Sequence, residues 1–488
     1  MDDITFASAI EQAAAIHEGR ISAVELLEAH LARIEQHNPA LNAIVTLDAE
    51  RARARAAEAD AARARGESWG ELHGVPVTIK DAIATSGLRT TGGYEPLADY
   101  VPDEDAPVVE RLKAAGAIVV GKTNLPVLSR DFQCENPIFG RSNNPWDLER
   151  TPGGSTGGGA AAVAAGLSPL EIGSDIGGSV RIPAGYSGIY SLKPTEHRVP
   201  ITGHIPDLPD RPKAVRHMNT IGPLARSLDD LELALRLIAG PDGREVEVPP
   251  VALDPAPIPQ LTSLRLAWVD QFGQVPVTRD TSAALEALAG QLAAGGASVE
   301  RRLPGGLDFE ILWETHGALI HAERASTMTA EEEAAYLRER GLDPDYLDPR
   351  SDNPMERGMA KAANATVRDL ADILNQRDAQ IAVLEAFFGQ VDALLCPVTA
   401  TPAIRHCPRN TPIDVDGREV PYWLAGSGYC GPFNLTGHPA VIVPLTQSAE
   451  GLPIGLQIVG PRWGEMKILA IARALEPLVQ GYRRPPGY

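Results

Sequence analysis

Two serines and one lysine are the groups in this sequence best placed to do chemistry. Ser155 sits in TPGGSTGG (Thr151 to Gly158) and Ser179 in GSDIGGSVRIP (Gly173 to Pro183), each embedded in glycines. Glycine admits backbone geometries closed to other residues and lets a chain approach a ligand closely. A serine hydroxyl in such a setting is a candidate nucleophile, but it stays weak until a neighbouring base takes its proton. Lys80 stands near the end of GVPVTIKD (Gly74 to Asp81), 75 residues before Ser155, which in turn precedes Ser179 by 24. A lone lysine at a strand end is ordinarily a surface charge. Buried in the run of valine and isoleucine, its ammonium form would be disfavoured and the amine could serve as a base.

Other chemistries fit these segments less well. Gly153 to Gly159, followed by an alanine-rich stretch, looks like a phosphate-binding turn at a helix N-terminus. It lacks the lysine-serine ending of a P-loop, and no strand is evident before it. Gly153-Gly154-Ser155-Thr156-Gly157 formally matches the G-x-S-x-G nucleophile elbow, which requires a strand immediately upstream. Residues 144–152 read instead as an irregular loop, and His197, His204 and His438 have no context that marks a catalytic histidine. Cys134, Cys396, Cys407 and Cys430 show neither zinc-ligand spacing nor disulfide density. No metal site is expected.

Taken together, GVPVTIKD, TPGGSTGG and GSDIGGSVRIP resemble the amidase signature family, and the spacings of Lys80, Ser155 and Ser179 agree with its Lys-Ser-Ser triad. The resemblance runs along essentially the whole chain, through GKTNLP (121–126), GPLARS (222–227) and GLPIGLQIVGP (451–461). Only about 240–390 is poorly constrained. Thr156 stands where a second serine is common, and Ile176 where threonine is common. Isoleucine at the second place is similar to the fatty acid amide hydrolases, as is KTNLP followed by CENPIFG and NNPW.

The resemblance implies a division of labour. Neutral Lys80 would be the base, Ser155 the relay that follows a cis peptide, and Ser179 the nucleophile that forms an acyl-enzyme. The consecutive N–H groups of Ile176, Gly177, Gly178 and Ser179 can converge on the developing oxyanion. The region from Ser129 to Phe132 should approach the scissile amide, with the backbone of Ser129 near Ser155 and Thr156. Asp175 and Arg181 read as groups that fix the loop. The polar pair Ser129-Arg130 argues against a long fatty chain, while Tyr186, Tyr190, Tyr422, Trp423 and Phe433 could supply an aromatic wall or simply pack. The implied activity is hydrolysis of small linear amides, with carbamates and esters as further candidates, and it needs no cofactor. The alternative is the glutamine-hydrolysing A subunit of a tRNA-dependent amidotransferase, which shares the triad. Its motif usually carries glutamine where this chain has Ile182. A catalytically dead protein on the same fold is also conceivable, although all three triad residues are present.

The elements that must position these groups are legible in outline. Ser22 can cap a helix whose apolar positions Val24, Leu26, Leu27, Leu31 and Ile34 recur at helical spacing, and a second helix rich in Ala and Arg follows. Strand-like runs at 75–79 and 117–120 flank a helix-like stretch at 108–115, an alternation that suggests an α/β sheet. Prolines crowd 240–260, helix formers dominate 307–388, and strand-like runs at 393–396, 440–444 and 455–459 bring the chain back to the sheet. The resemblance implies one α/β domain over 1–488, a large mixed twisted sheet covered by helices on both sides. Its parts would be N-terminal helices (1–70), the signature core (71–240), a linker and helical variable region (241–390) and a C-terminal return to the sheet (391–488).

The 488 residues carry 64 acidic and 44 basic side chains, a net charge of −20, which repels phosphate backbones. Nucleic acid is therefore not an expected partner. Met1 opens onto Asp2 and Asp3 without a basic and apolar leader, and no apolar run reaches bilayer length, so the cytoplasm is expected and membrane insertion is not. A homodimer is what the resemblance suggests.

Overall fold

The computed structural model describes residues 3–205, 207–363 and 365–488; Met1 and Asp2, which bear on the reading of the N-terminus, lie outside them. Ser22 opens the helix Ala23–Leu41 with a capping box: its hydroxyl accepts from Glu25 N–H at 3.1 Å, and the Glu25 carboxylate accepts from Ser22 N–H at 2.8 Å. Leu26, Leu27, Leu31 and Ile34 are buried, while Val24 is half-buried. The second helix, Ala49–Ala64, buries Ala52, Ala56, Ala59 and Ala62. Between the two lies a strand, Ile44–Leu47, that the sequence reading passed over. It is short, sits at the edge of the sheet and is buried only at Ile44, so it carries little periodic signal.

Among the described residues, eleven strands form one sheet in the order Ile44–Leu47, Ile118–Thr123, Pro76–Lys80, Leu170–Asp175, Thr220–Ala225, Tyr190–Lys193, Ala440–Gln447, Pro453–Val459, Ala393–Pro397, Arg265–Trp268 and Ser298–Arg301. Pro76–Lys80 pairs in parallel with both neighbours, whereas Leu170–Asp175 pairs antiparallel with Thr220–Ala225, so the sheet is mixed. The strands from the C-terminal quarter of the chain join those of the first half, as expected.

Alternation along the strands feeds two cores. Val441 and Val443 enter the one that contains Leu231 and Leu235 of the helix Leu228–Ile238 and Ile468 of Glu465–Leu475. Ala440 and Ile442 enter the other, which contains Leu312 and Leu319 of the helix Phe309–Ala325 and Leu384 of Val367–Phe388. Helices thus cover both faces of an α/β sheet. The proline-rich stretch 241–260 runs without helix or strand, and the region after it supplies Phe309–Ala325, Ala330–Glu339, Pro354–Ala362 and Val367–Phe388.

Candidate active site

Lys80 ends the strand Pro76–Lys80. Val77 and Ile79 face one core, so Thr78 and Lys80 face the opposite side of the sheet. The lysine is fully buried, with Nζ 2.6 Å from Ser155 Oγ and 3.0 Å from Ser174 Oγ. Burial pulls its pKa down to about 7, against the opposing pull of Asp175 and Glu171. Glu171 is buried beside it, accepts from Thr123 Oγ1 at 2.6 Å, and is pushed up to about 7 by the same desolvation.

Ser155 lies in an irregular segment with no strand immediately before it, which removes the nucleophile-elbow reading. The Gly154–Ser155 peptide is cis, as the resemblance implied. A side chain at Gly154 would place Cβ 2.8 Å from both Asp131 O and Phe132 C, so the Ser155 segment can lie against the 131–132 backbone only with glycine at 154. Thr156 leads into the helix Gly157–Ala164, and its N–H donates to Ser179 O at 3.1 Å, which ties the two serine segments together. Among the described residues no hydrogen bond joins the hydroxyls of Ser155 and Ser179 directly.

Ser179 lies in the turn between the strand Leu170–Asp175 and the helix Arg181–Ser187. Asp175 organises that turn by accepting from Gly178 N–H at 2.8 Å and Val180 N–H at 3.0 Å. It pairs with fully buried Arg181 at 2.9 Å, and Arg181 in turn donates to Gln457 Oε1 at 2.7 Å and Asn434 Oδ1 at 2.5 Å. Burial opposes ionisation of Asp175, yet Arg181 outweighs it and holds the carboxyl well below the usual range. Both residues are therefore placed as loop-fixing groups.

The Gly178 N–H, expected among the oxyanion donors, needs correction: it is spent on Asp175 and is not free. Gly178 supplies the turn itself, with φ +117°, and a Cβ there would lie 2.7 Å from Ile182 Cδ1. Ile176, Gly177 and Ser179 are the N–H groups of the turn without an acceptor among the described residues.

Ser129, Gly154, Ile176, Gly177 and Ser179 line one cavity of about 50 Å³. Ser129 is brought there by backbone at φ 57°, and its buried Oγ has no hydrogen-bond partner. Of the five aromatic residues considered for a wall, only Trp423 lines the cavity; Tyr186, Tyr190, Tyr422 and Phe433 are buried in packing, and Phe132 lines it instead. His316 borders the cavity with Nε2 3.2 Å from Ile176 O, and burial depresses its pKa to about 4, which keeps it neutral. His316, Ser174 and the cavity arginines Arg324 and Arg340 are the residues that sequence reasoning missed. Ser174 stood inside a motif already singled out. The others come from the variable region, where no motif marks them.

A buried lysine against a glycine-loop serine, beside a turn whose Ile176, Gly177 and Ser179 N–H groups have no acceptor among the described residues, fits the serine-hydrolase class of site. The comparisons narrow the class. The family model described as Amidase matches residues 25–469. The chain is 36% identical to the indoleacetamide hydrolase of Bradyrhizobium diazoefficiens over 96% of its own length and 86% of the relative's. It is 34% identical to the A subunit of the glutamyl-tRNA(Gln) amidotransferase of Symbiobacterium thermophilum, over 96% of each. The structure of a bacterial aryl acylamidase of the amidase signature family superposes with a TM-score of 0.82 at 27% identity, over 99% of each chain. This chain belongs to the amidase signature family, and its reaction is hydrolysis of amide carbon–nitrogen bonds.

Proposed function

We propose that the protein is a stand-alone amidohydrolase of small linear amides, with Ser179 as nucleophile, Ser155 as relay and Lys80 as base. The observation that carries this reading is the fully buried Lys80 amine, 2.6 Å from Ser155 Oγ and near neutrality at about 7. Ser179 Oγ attacks the carbonyl carbon, and its proton passes through Ser155 to Lys80. The tetrahedral oxyanion forms against the N–H groups of Ile176, Gly177 and Ser179. Collapse breaks the C–N bond as the proton returns through Ser155 to the leaving amine. Water then attacks the acyl-enzyme by the same relay and releases the acid. Ser129 borders the acyl group, and no step calls for a metal or cofactor.

The resemblance to indoleacetamide hydrolase supports a primary amide on an aryl or short acyl group. Carbamates and esters pass through the same acyl-enzyme chemistry. The 34% identity to amidotransferase subunits favours a second reading, a glutamine-hydrolysing subunit that works with a partner. Ile182, where glutamine is usual in those subunits, weighs against it. No described helix is long and apolar enough to cross a membrane, and all four cysteines are free, which supports action in the reducing cytoplasm. A homodimer is the assembly we expect from the family.

Amine release from short aliphatic and aryl amides, glutamine and aryl carbamates tests the assignment. Ser179→Ala and Lys80→Ala are each expected to lower kcat by at least roughly 10³-fold. Turnover of glutamine alone, and only with a partner present, would favour the second reading.

A further inference from the structure

Two arginine side chains in the wall of the Ser179 cavity have no carboxylate to answer them. Arg324, on the helix Phe309–Ala325, is only 4% exposed; Arg340 follows the helix Ala330–Glu339 and is half-buried. Both line the cavity with Arg130. Neither forms an ion pair among the described residues, and the Nε of each is buried without a hydrogen-bond partner. The carboxylates nearby are committed elsewhere. Glu339 lies 3.9 Å from Arg130 and 3.7 Å from Arg409; Asp131 lies 3.5 Å from Arg409 and accepts from Tyr422 Oη at 2.6 Å.

Aromatic rings hold the cations in place. The Arg340 guanidinium lies 4.6 Å from the centre of the Trp423 ring and 5.2 Å from that of Tyr336, which Arg130 approaches at 4.9 Å. The field is strong enough to act on Tyr336 itself. Burial would raise its phenol, yet Arg340, Arg324 and Arg130 together bring it down to about 8. A buried guanidinium without a counter-charge is costly to keep, and this one is kept beside the nucleophile of a protein whose net charge is −20. The planar fork of guanidinium donors matches a carboxylate.

We propose that the amide cleaved here carries a carboxylate, bound by Arg324 and Arg340 while Ser179 meets the scissile carbonyl. This rests on the Ser179 reading above and adds the class of substrate to it. The carboxylate can reside on the acyl side, as in an ω-amido acid, or on the amine side, as in an N-acyl amino acid.

Two pairs matched in carbon chain length test it: glutaramate against valeramide for the acyl side, and N-butyrylglycine against N-ethylbutyramide for the amine side. The anionic member of one pair is expected to show a kcat/KM roughly 100-fold higher, carried mainly by KM. In Arg324→Gln and Arg340→Gln that ratio is expected to fall toward one. Should Arg324→Gln fail to fold, the half-buried Arg340 variant and competitive inhibition of neutral-amide turnover by glutarate in the unaltered protein carry the test. Equal or better turnover of the neutral member in both pairs, with no inhibition by glutarate, would overturn the proposal. That outcome with Ser179→Ala inactive leaves the nucleophile assignment standing, whereas turnover surviving Ser179→Ala overturns the assignment itself.

Discussion

The role proposed for Lys80 rests on its surroundings. Its amine is drawn down to about 7 chiefly by burial, so near neutral pH a substantial fraction is the free base. Below that value protonation removes the base. The kcat/KM for a substrate that does not itself titrate is therefore expected to rise with pH through an apparent pKa near 7 and then level off. A stopped assay from pH 5 to 9 checks this, and a flat profile would remove Lys80 as the base. At this scale much of the site was legible, because Lys80, Ser155 and Ser179 stand in motifs whose glycines and spacings carry information. Arg324, Arg340 and His316 were not legible. Their meaning comes from which charges they lack or which carbonyl they meet, and a sequence does not display that.

The turn from Asp175 to Arg181 is the element that holds Ser179, the proposed nucleophile. Asp175 accepts from two of its N–H groups and from Arg181, while Gly178 at φ +117° gives it its shape. In Gly178→Ala the new Cβ would lie 2.7 Å from Ile182 Cδ1 and 2.8 Å from Cys430 Cβ, in a backbone region side chains avoid. That substitution is expected to cost about 1–3 kcal/mol of stability and to lower kcat more than it raises KM, measured by denaturant unfolding and steady-state kinetics. Unchanged kcat would show that the turn does not position the nucleophile. The two-glycine signature was readable, but the engagement of the Gly178 N–H was not, since it depends on where the Asp175 carboxylate points. Strands were recovered where a continuous apolar run marked them, as at 440–444. The edge strand Ile44–Leu47 was lost because little of it is buried, and the buried strands Leu170–Asp175, Tyr190–Lys193 and Thr220–Ala225 were lost because glycine, proline and polar residues interrupt their apolar runs.

Across the whole molecule, strands from residue 44 to residue 459 share one sheet, and both faces are packed by helices from distant parts of the chain. We propose that the chain is a single domain, and on that basis unfolding is expected as one transition, with far-UV circular dichroism and tryptophan fluorescence coincident. Separated midpoints would show that the variable helices at 307–388 unfold on their own. The return of the C-terminal strands to the sheet was legible from their composition. Their order in it was not, because pairing partners far apart in sequence leave no local pattern.

The most direct test of the account is to quench the protein during turnover of an aryl amide or aryl carbamate and map covalent adducts by mass spectrometry. The expected result is an acyl or carbamoyl increment on the peptide that contains Ser179, absent in Ser179→Ala. An adduct on another residue, or full turnover by Ser179→Ala, would contradict the assignment of Ser179 as the nucleophile.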